Sequence, residues 1–224
     1  MKISVAIDGP AAAGKSTVAK RVASILGFIY IDTGAMYRAF TYYVLKKGVD
    51  PQNEAASCAL IPEVFIELLP GGKVLCNDED VTDVIRETRI SSNVSYIASY
   101  KAIRLHLVDL QREMAEKGSV VMDGRDIGTY VLPNAEVKIF QIASVETRAV
   151  RRYEENIQKG IKCELKEIEE DLRRRDYIDS HREFAPLKAA ADSVLIDTSF
   201  MSVEEVVNTI LSIIKRKTGV GEVK

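Results

Sequence analysis

Short, almost continuously apolar runs alternate along the chain with longer stretches of helical period. Ile3-Ser4-Val5-Ala6-Ile7, Phe28-Ile29-Tyr30-Ile31-Asp32, Ser119-Val120-Val121-Met122-Asp123, Val137-Lys138-Ile139-Phe140-Gln141-Ile142 and Ser193-Val194-Leu195-Ile196-Asp197 are each too short for a helix. They predict five buried strands. Between them, apolar residues recur at helical spacing over 15–26, closed by Gly27, and from Ala35 through Leu45, stopped at Gly48 with Asp32 or Thr33 as N-cap. The pattern returns at about 102–116, where Ile103, Leu107, Leu110 and Met114 form a stripe ending at Gly118. A last stripe, Val203, Val206, Val207, Ile210, Leu211 and Ile214, reads as core. The segments 51–61, with Pro51 in its first turn, and 84–99 are predicted to be helical as well.

Strands alternating with helices predict an α/β fold: a five-stranded parallel sheet between helical layers, with right-handed crossovers and ligands at the carboxyl ends of the strands. Between residues 63 and 81 the period changes. Val64-Phe65-Ile66-Glu67-Leu68, Pro70-Gly71-Gly72 and Lys73-Val74-Leu75-Cys76-Asn77 read as strand, turn and strand, a β-hairpin that belongs to a small insertion rather than to a parallel core.

Composition narrows the class. With 224 residues, 46% apolar and 29% charged, the chain can bury a full core. Its net charge of −2 and pI near 5.9 argue against a broad basic face for polymeric nucleic acid. No run approaches the roughly 18 apolar residues of a membrane span, and a strand at the very start leaves no room for a signal peptide, so a cytoplasmic location is expected. Cys58, Cys76 and Cys163 lack metal-type spacing and read as reduced thiols; His106 and His181 suggest no zinc site.

The chemistry concentrates in Gly9-Pro10-Ala11-Ala12-Ala13-Gly14-Lys15-Ser16-Thr17, which fits G-x-x-x-x-G-K-[ST] between the first strand and the first helix. Such a bend turns successive backbone N–H groups toward phosphate oxygens, while Lys15 reaches the β- and γ-phosphates and Ser16 offers a hydroxyl to Mg²⁺. The dipole of the helix that follows adds to the same spot. A nucleoside triphosphate is the implied ligand, but kinases, GTPases and motor ATPases share this loop.

Further along, Arg148-Ala149-Val150-Arg151-Arg152 opens a charged tract running to Arg173-Arg174-Arg175-Asp176, which composition alone reads as a solvated helix pair. Asp32-Thr33-Gly34-Ala35-Met36-Tyr37-Arg38 and Asp123-Gly124-Arg125-Asp126-Ile127-Gly128 follow strands. Arg174-Arg175-Asp176-Tyr177-Ile178-Asp179-Ser180-His181-Arg182 leads to Ala185-Pro186-Leu187. Together with the glycine-bounded loop, in this order, these motifs resemble the bacterial cytidylate (CMP) kinases of the nucleoside monophosphate kinase family, over the whole chain.

The resemblance implies a three-layer phosphate-loop core from 1–34, 96–147 and 186–224. It also implies a CMP-binding segment over 35–95 with the hairpin at about 63–83, and a helical lid with a returning helix over 148–185. It puts Thr33, Tyr37 and Arg38 in the CMP site, Ser95 and Arg104 at the cytosine, Arg125 on a phosphate and Asp126 on the base. Arg175, Asp179 and Arg182 match ribose and phosphate contacts, and Arg148 and Arg152 look like the pair that opens the lid and meets ATP. Ser180 and His181 stand at variable positions and carry no role; His181 is expected in an exposed loop.

The implied reaction moves the γ-phosphoryl of MgATP to the 5′-phosphate of CMP or dCMP, in a monomer that needs Mg²⁺ only with ATP. The acceptor's second pKa of about 6 makes a general base unnecessary. Lys15 with Arg38, Arg125, Arg148, Arg152, Arg175 and Arg182 would neutralise two crowded anions. Asp126 suits the N4 donor of cytosine and would oppose the O4 acceptor of uracil, though a residue so placed also reads as a helix cap. Asp123 is the candidate for orienting Mg²⁺-bound water, with a turn residue before Gly124 as the bland alternative. Competing readings are a kinase for UMP, AMP or shikimate on the same scaffold, and a nucleotide-dependent switch without an acceptor. No N-K-x-D segment supports a GTPase.

Overall fold

A computed structural model describes residues 2–158 and 160–221. The chain begins with β1 (Ser4–Asp8), α1 (Lys15–Leu26), β2 (Ile29–Asp32) and α2 (Thr33–Lys46). It then runs through α3 (Glu54–Ala59), β3 (Ile66–Leu69), β4 (Lys73–Cys76), β5 (Glu79–Asp80), α4 (Thr88–Ser91), α5 (Val94–Ile97) and α6 (Lys101–Ala115). The rest is β6 (Val120–Gly124), β7 (Val137–Ile142), α7 (Val145–Gln158), α8 (Leu165–His181), β8 (Val194–Asp197) and α9 (Val203–Thr218).

Five parallel strands form one sheet in the order β2-β6-β1-β7-β8. β1 lies in the middle, and the strand order reverses around it, which opens a crevice at its carboxyl end. The continuous apolar character of the central strands follows from burial on both faces. Val5, Ile7, Val121 and Ile139 pack with Val18 and Val22 of α1 and Val207 and Ile210 of α9. On the opposite face, Ala6, Val120 and Met122 meet Val108 of α6. Among the described residues, no helix is long and apolar enough to cross a membrane.

The insertion folds as a separate antiparallel sheet, β3-β4-β5, with Ile66, Val74 and Cys76 against Met36, Phe40 and Tyr43 of α2. Its third strand goes beyond the expected hairpin. Asn77 and Asp78 both adopt positive φ (50° and 63°), the pair of left-handed residues that a tight two-residue hairpin turn requires.

Two helical predictions need correction. The helix expected over 51–61 shrinks to α3, because Asn53 caps it by accepting from the Ala56 N–H, and the Pro51 carbonyl instead accepts from the Tyr100 hydroxyl. The segment 84–99 is not one helix but a 3₁₀ turn at Val84–Arg86, then α4 and α5. Ser91, Ser92 and Asn93 are poor helix formers, and the Asn93 side chain donates to the Arg89 carbonyl, which closes α4 early. His181 is exposed as expected, but it is the last residue of α8 and stacks on Tyr177, not a loop residue.

Candidate active site

The glycine-bounded loop joins β1 to α1 at the crevice. Gly9 has φ 154°, and a Cβ there would lie 1.9 Å from the Gln141 carbonyl oxygen of β7, so only glycine lets the loop leave the sheet so closely. Gly14, at φ 85°, is the N-cap of α1 and supplies no side-chain acceptor, so the first N–H groups of the helix are left for a ligand. The Lys15 ammonium donates to the Pro10 carbonyl at 2.7 Å, and Gln141 Nε2 donates to the Ala13 carbonyl.

Beside the loop, the Ser16 hydroxyl donates to Asp123 Oδ2 at 2.9 Å and the Tyr30 hydroxyl to Oδ1 at 2.9 Å. Burial, then the negative charge of Asp32, pushes the Asp123 carboxyl up to about 6. Burial, then the nearby Arg125 guanidinium, lowers the Lys15 ammonium to about 7. Burial leads in both shifts, and a counter-charge entering the site would oppose each of them.

The loop borders a cavity of about 470 Å³. Ala12, Ala13, Gly14, Lys15, Ser16 and Thr17 line one side; Arg38, Asp123, Arg125, Arg152 and Arg175 line the other. A smaller cavity adjoins it, lined by Thr33, Tyr37, Ser95, Arg104, Asp126, Asp179 and Arg182. Arg38, Arg125 and Arg175 border both. Burial pushes Arg38 down to about 9 and Arg175 down to about 10, so both stay charged at neutral pH. Their buried Nε atoms lack a hydrogen-bond partner among the described residues, so each guanidinium keeps unused donor capacity beside the cavities it lines.

In the smaller cavity the Arg104 guanidinium lies over the Tyr37 ring, donates to Asp126 Oδ2 and to the Ala98 carbonyl, and is shielded from water. Arg182 approaches Asp126 Oδ1 at 3.4 Å. Arg125 Nε donates to Asp179 Oδ2 at 2.8 Å, and Asp179 is held below the usual carboxylate range by Arg125, Arg182 and Arg175 in spite of its burial. Asp8 accepts from the Ile127 and Gly128 N–H groups at 2.8 Å each, fixing the π-turn that follows Asp126. Burial raises its carboxyl to about 7.

Gly9, Pro10, Ala11 and Arg148 face neither cavity. Arg148 is buried, and its guanidinium donates to the Ala143 and Ala11 carbonyls and pairs with Asp176, so it holds the loop from behind instead of facing the cavity as Arg152 does. Two arginines absent from the sequence expectations do line the larger cavity. Arg86, on the 3₁₀ turn after the hairpin, donates to Asp32 at 2.8 Å, and Arg151 donates to the Thr198 carbonyl at 2.6 Å. Asp32 accepts from the Ala35 N–H as the N-cap of α2; burial opposes its charge, but Arg38 and Arg86 hold it below its ordinary value. Thr33 does not cap; its hydroxyl donates to the Asp123 carbonyl and ties the start of α2 to β6.

The sequence model of the family described as cytidylate kinase matches residues 5–216. The chain belongs to the cytidylate kinase family. It is 56% identical to the cytidylate kinase of Bacillus licheniformis over 96% of its own length and 97% of the relative's. To that of Anoxybacillus flavithermus it is 54% identical, again over 96% and 97%. A gluconokinase structure from Sinorhizobium meliloti, 14% identical, superposes with a TM-score of 0.51 over 96% of this chain and 92% of that one, a likeness of fold alone.

Proposed function

We infer that the protein is an ATP-dependent cytidylate kinase: it transfers the γ-phosphoryl of MgATP to the 5′-phosphate of CMP or dCMP, giving ADP and CDP or dCDP. The observation that carries this reading is the pair of adjoining cavities with Arg38, Arg125 and Arg175 on their common wall. One cavity has the triphosphate loop; the other has a buried carboxylate suited to a base with an exocyclic amine.

The chain's own groups suffice for the protein's part in the transfer. The acceptor phosphate is largely ionised at neutral pH, its second pKa being about 6, so positioning and charge stabilisation are required rather than proton abstraction. Lys15, the loop N–H groups and Arg152 hold the donor's phosphates. Arg38, Arg125 and Arg175 hold the transferring and accepting groups, with planar forks that bond two oxygens and keep their charge. Thr33, Tyr37, Ser95, Arg104, Asp126 and Arg182 hold the nucleoside, Asp126 accepting from cytosine N4, and Asp179 meets the ribose hydroxyls.

The residues fit Mg²⁺, because a hydroxyl and a buried carboxylate raised to about 6 stand together beside the loop. Ser16 would bind it directly and Asp123 through water; when bound, it neutralises charge on the donor's phosphate oxygens. We place the enzyme in the cytoplasm, as a monomer, without a polymeric nucleic-acid partner, which a net charge of −2 disfavours.

Phosphorus NMR of MgATP and CMP with the purified protein tests the reaction itself. ADP and CDP resonances growing together are expected. Inorganic phosphate growing in their place would contradict the assignment.

A further inference from the structure

Ala11, in the second residue after Gly9, has both backbone polar groups gripped from the lid. Its N–H donates to Asp176 Oδ1 at 3.1 Å, and its carbonyl accepts from Arg148 Nη1 at 2.9 Å. Arg148 and Asp176 pair with each other at 2.6 Å, and Arg148 Nε is anchored on the Ala143 carbonyl at 2.9 Å. Apolar contacts reinforce the grip, since Ala11 packs with Ala149 of α7 and Leu172 of α8 in one buried cluster.

The consequence follows from peptide planarity. In a trans peptide the C=O and N–H point in opposite directions. With the Ala11 carbonyl drawn back to Arg148, the N–H of Ala12 is aimed the other way, toward the large cavity that Ala12 lines. With the Ala11 N–H drawn back to Asp176, the Pro10 carbonyl is presented to Lys15, which it contacts at 2.7 Å. Ala12 itself is held at φ 56°, a left-handed conformation that residues with a Cβ avoid. A loop with alanine there needs something to hold it.

We propose that the Arg148–Asp176 pair is a positioning device: it clamps Ala11, keeps Ala12 left-handed with its N–H toward the donor's phosphates, and so makes the shape of the cradle depend on how the lid helices are seated. The same helix α8 carries Arg175 to the shared wall of the cavities and Asp179 to Arg125. Seating α8 therefore sets the donor cradle and the transfer arginines together. This inference rests on the loop being the ATP cradle and is independent of which monophosphate accepts.

The test uses Asp176→Ala, Asp176→Asn and each combined with Ala12→Gly, in the full-length protein. ATP affinity is measured by calorimetry without any acceptor, and kcat and KM are measured for ATP and CMP separately. Loss of hydrogen bonds to a charged group predicts an ATP affinity weakened about tenfold or more for Asp176→Ala, with KM for CMP affected less and Asp176→Asn intermediate. Glycine adopts the left-handed conformation freely, so Ala12→Gly restores much of the lost ATP affinity in the Asp176→Ala background. Unchanged ATP affinity in a folded Asp176→Ala, or a loss that Ala12→Gly does not relieve, overturns the clamp. Because wild-type ATP binding is measured alongside, failure of the cradle assignment shows separately, as absent binding in every variant.

Discussion

Arg104 and Asp126 meet as an ion pair in which neither side chain is more than 5% exposed, with the guanidinium laid over the Tyr37 ring. Such a pair is stabilising only while both partners are present. Removing the carboxylate in Asp126→Ala leaves Arg104 and Arg182 facing each other in a dry pocket. The melting temperature should fall, consistent with a cost of about 3–5 kcal/mol for a broken buried pair. At a temperature where the variant is folded, kcat/KM for CMP should drop by about a hundredfold or more while KM for ATP changes little. Equal losses on both substrates would remove Asp126 from base recognition.

Lys15→Ala removes the ammonium proposed to meet the donor's β- and γ-phosphates, and turnover should fall by roughly three orders of magnitude with the fold intact. The wild-type group also predicts a pH signature. Burial, then Arg125, lowers its pKa to about 7, so above that pH it is largely neutral before ATP arrives. Phosphate oxygens restore its charge, and binding then takes up a proton. Calorimetry in buffers of different ionisation enthalpy should show an uptake approaching about one proton near pH 8, vanishing below pH 6 and absent in Lys15→Ala.

Much of this site is legible in the sequence because its chemistry is carried by the backbone and by strand ends. The phosphate loop is defined by two glycines and a lysine at fixed spacing between a strand and a helix. Asp32 and Asp123 are the last apolar-run residues of two strands, which the parallel sheet brings side by side. Arg86 is different. It is one of 31 Lys and Arg residues, has no periodic neighbour, and reaches the cavity only because the hairpin insertion folds against α2 and returns it to Asp32. Arg148 and Arg152 share a helical face by spacing, but one is buried behind the loop and the other lines the cavity. That difference arises from the packing of α8, and residue spacing does not encode it.

Arg86 accordingly supplies a prediction of its own. It neutralises Asp32 and adds positive charge near Arg38 on the wall of the larger cavity. Arg86→Ala should lower kcat by about tenfold to a hundredfold, with a smaller effect on the melting temperature because the side chain is 43% exposed. Arg86→Lys should recover only part of the loss, since an ammonium cannot hold Asp32 and a phosphate with one planar fork. Unchanged turnover in Arg86→Ala would confine this residue to capping Asp32.

Gly9→Ala tests the backbone geometry directly. The added methyl would overlap the Gln141 carbonyl of β7, and that oxygen belongs to the central sheet and cannot swing aside as a side chain would. The loop must then lift from the sheet. ATP binding should be lost in a protein whose far-ultraviolet circular dichroism is close to wild type, whereas Gly48→Ala, where nothing stands within 4 Å, should bind ATP normally.

Transfer to a cytosine nucleotide is measured most directly by initial rates of ADP release from MgATP, with CMP, dCMP, UMP, AMP and shikimate offered singly against a blank without acceptor. The geometry predicts rates for CMP and dCMP far above the blank, with UMP weak and AMP and shikimate at the blank. A uniform rate equal to the blank would show an ATPase or a switch, and a preference for AMP or shikimate would contradict the reading of Asp126.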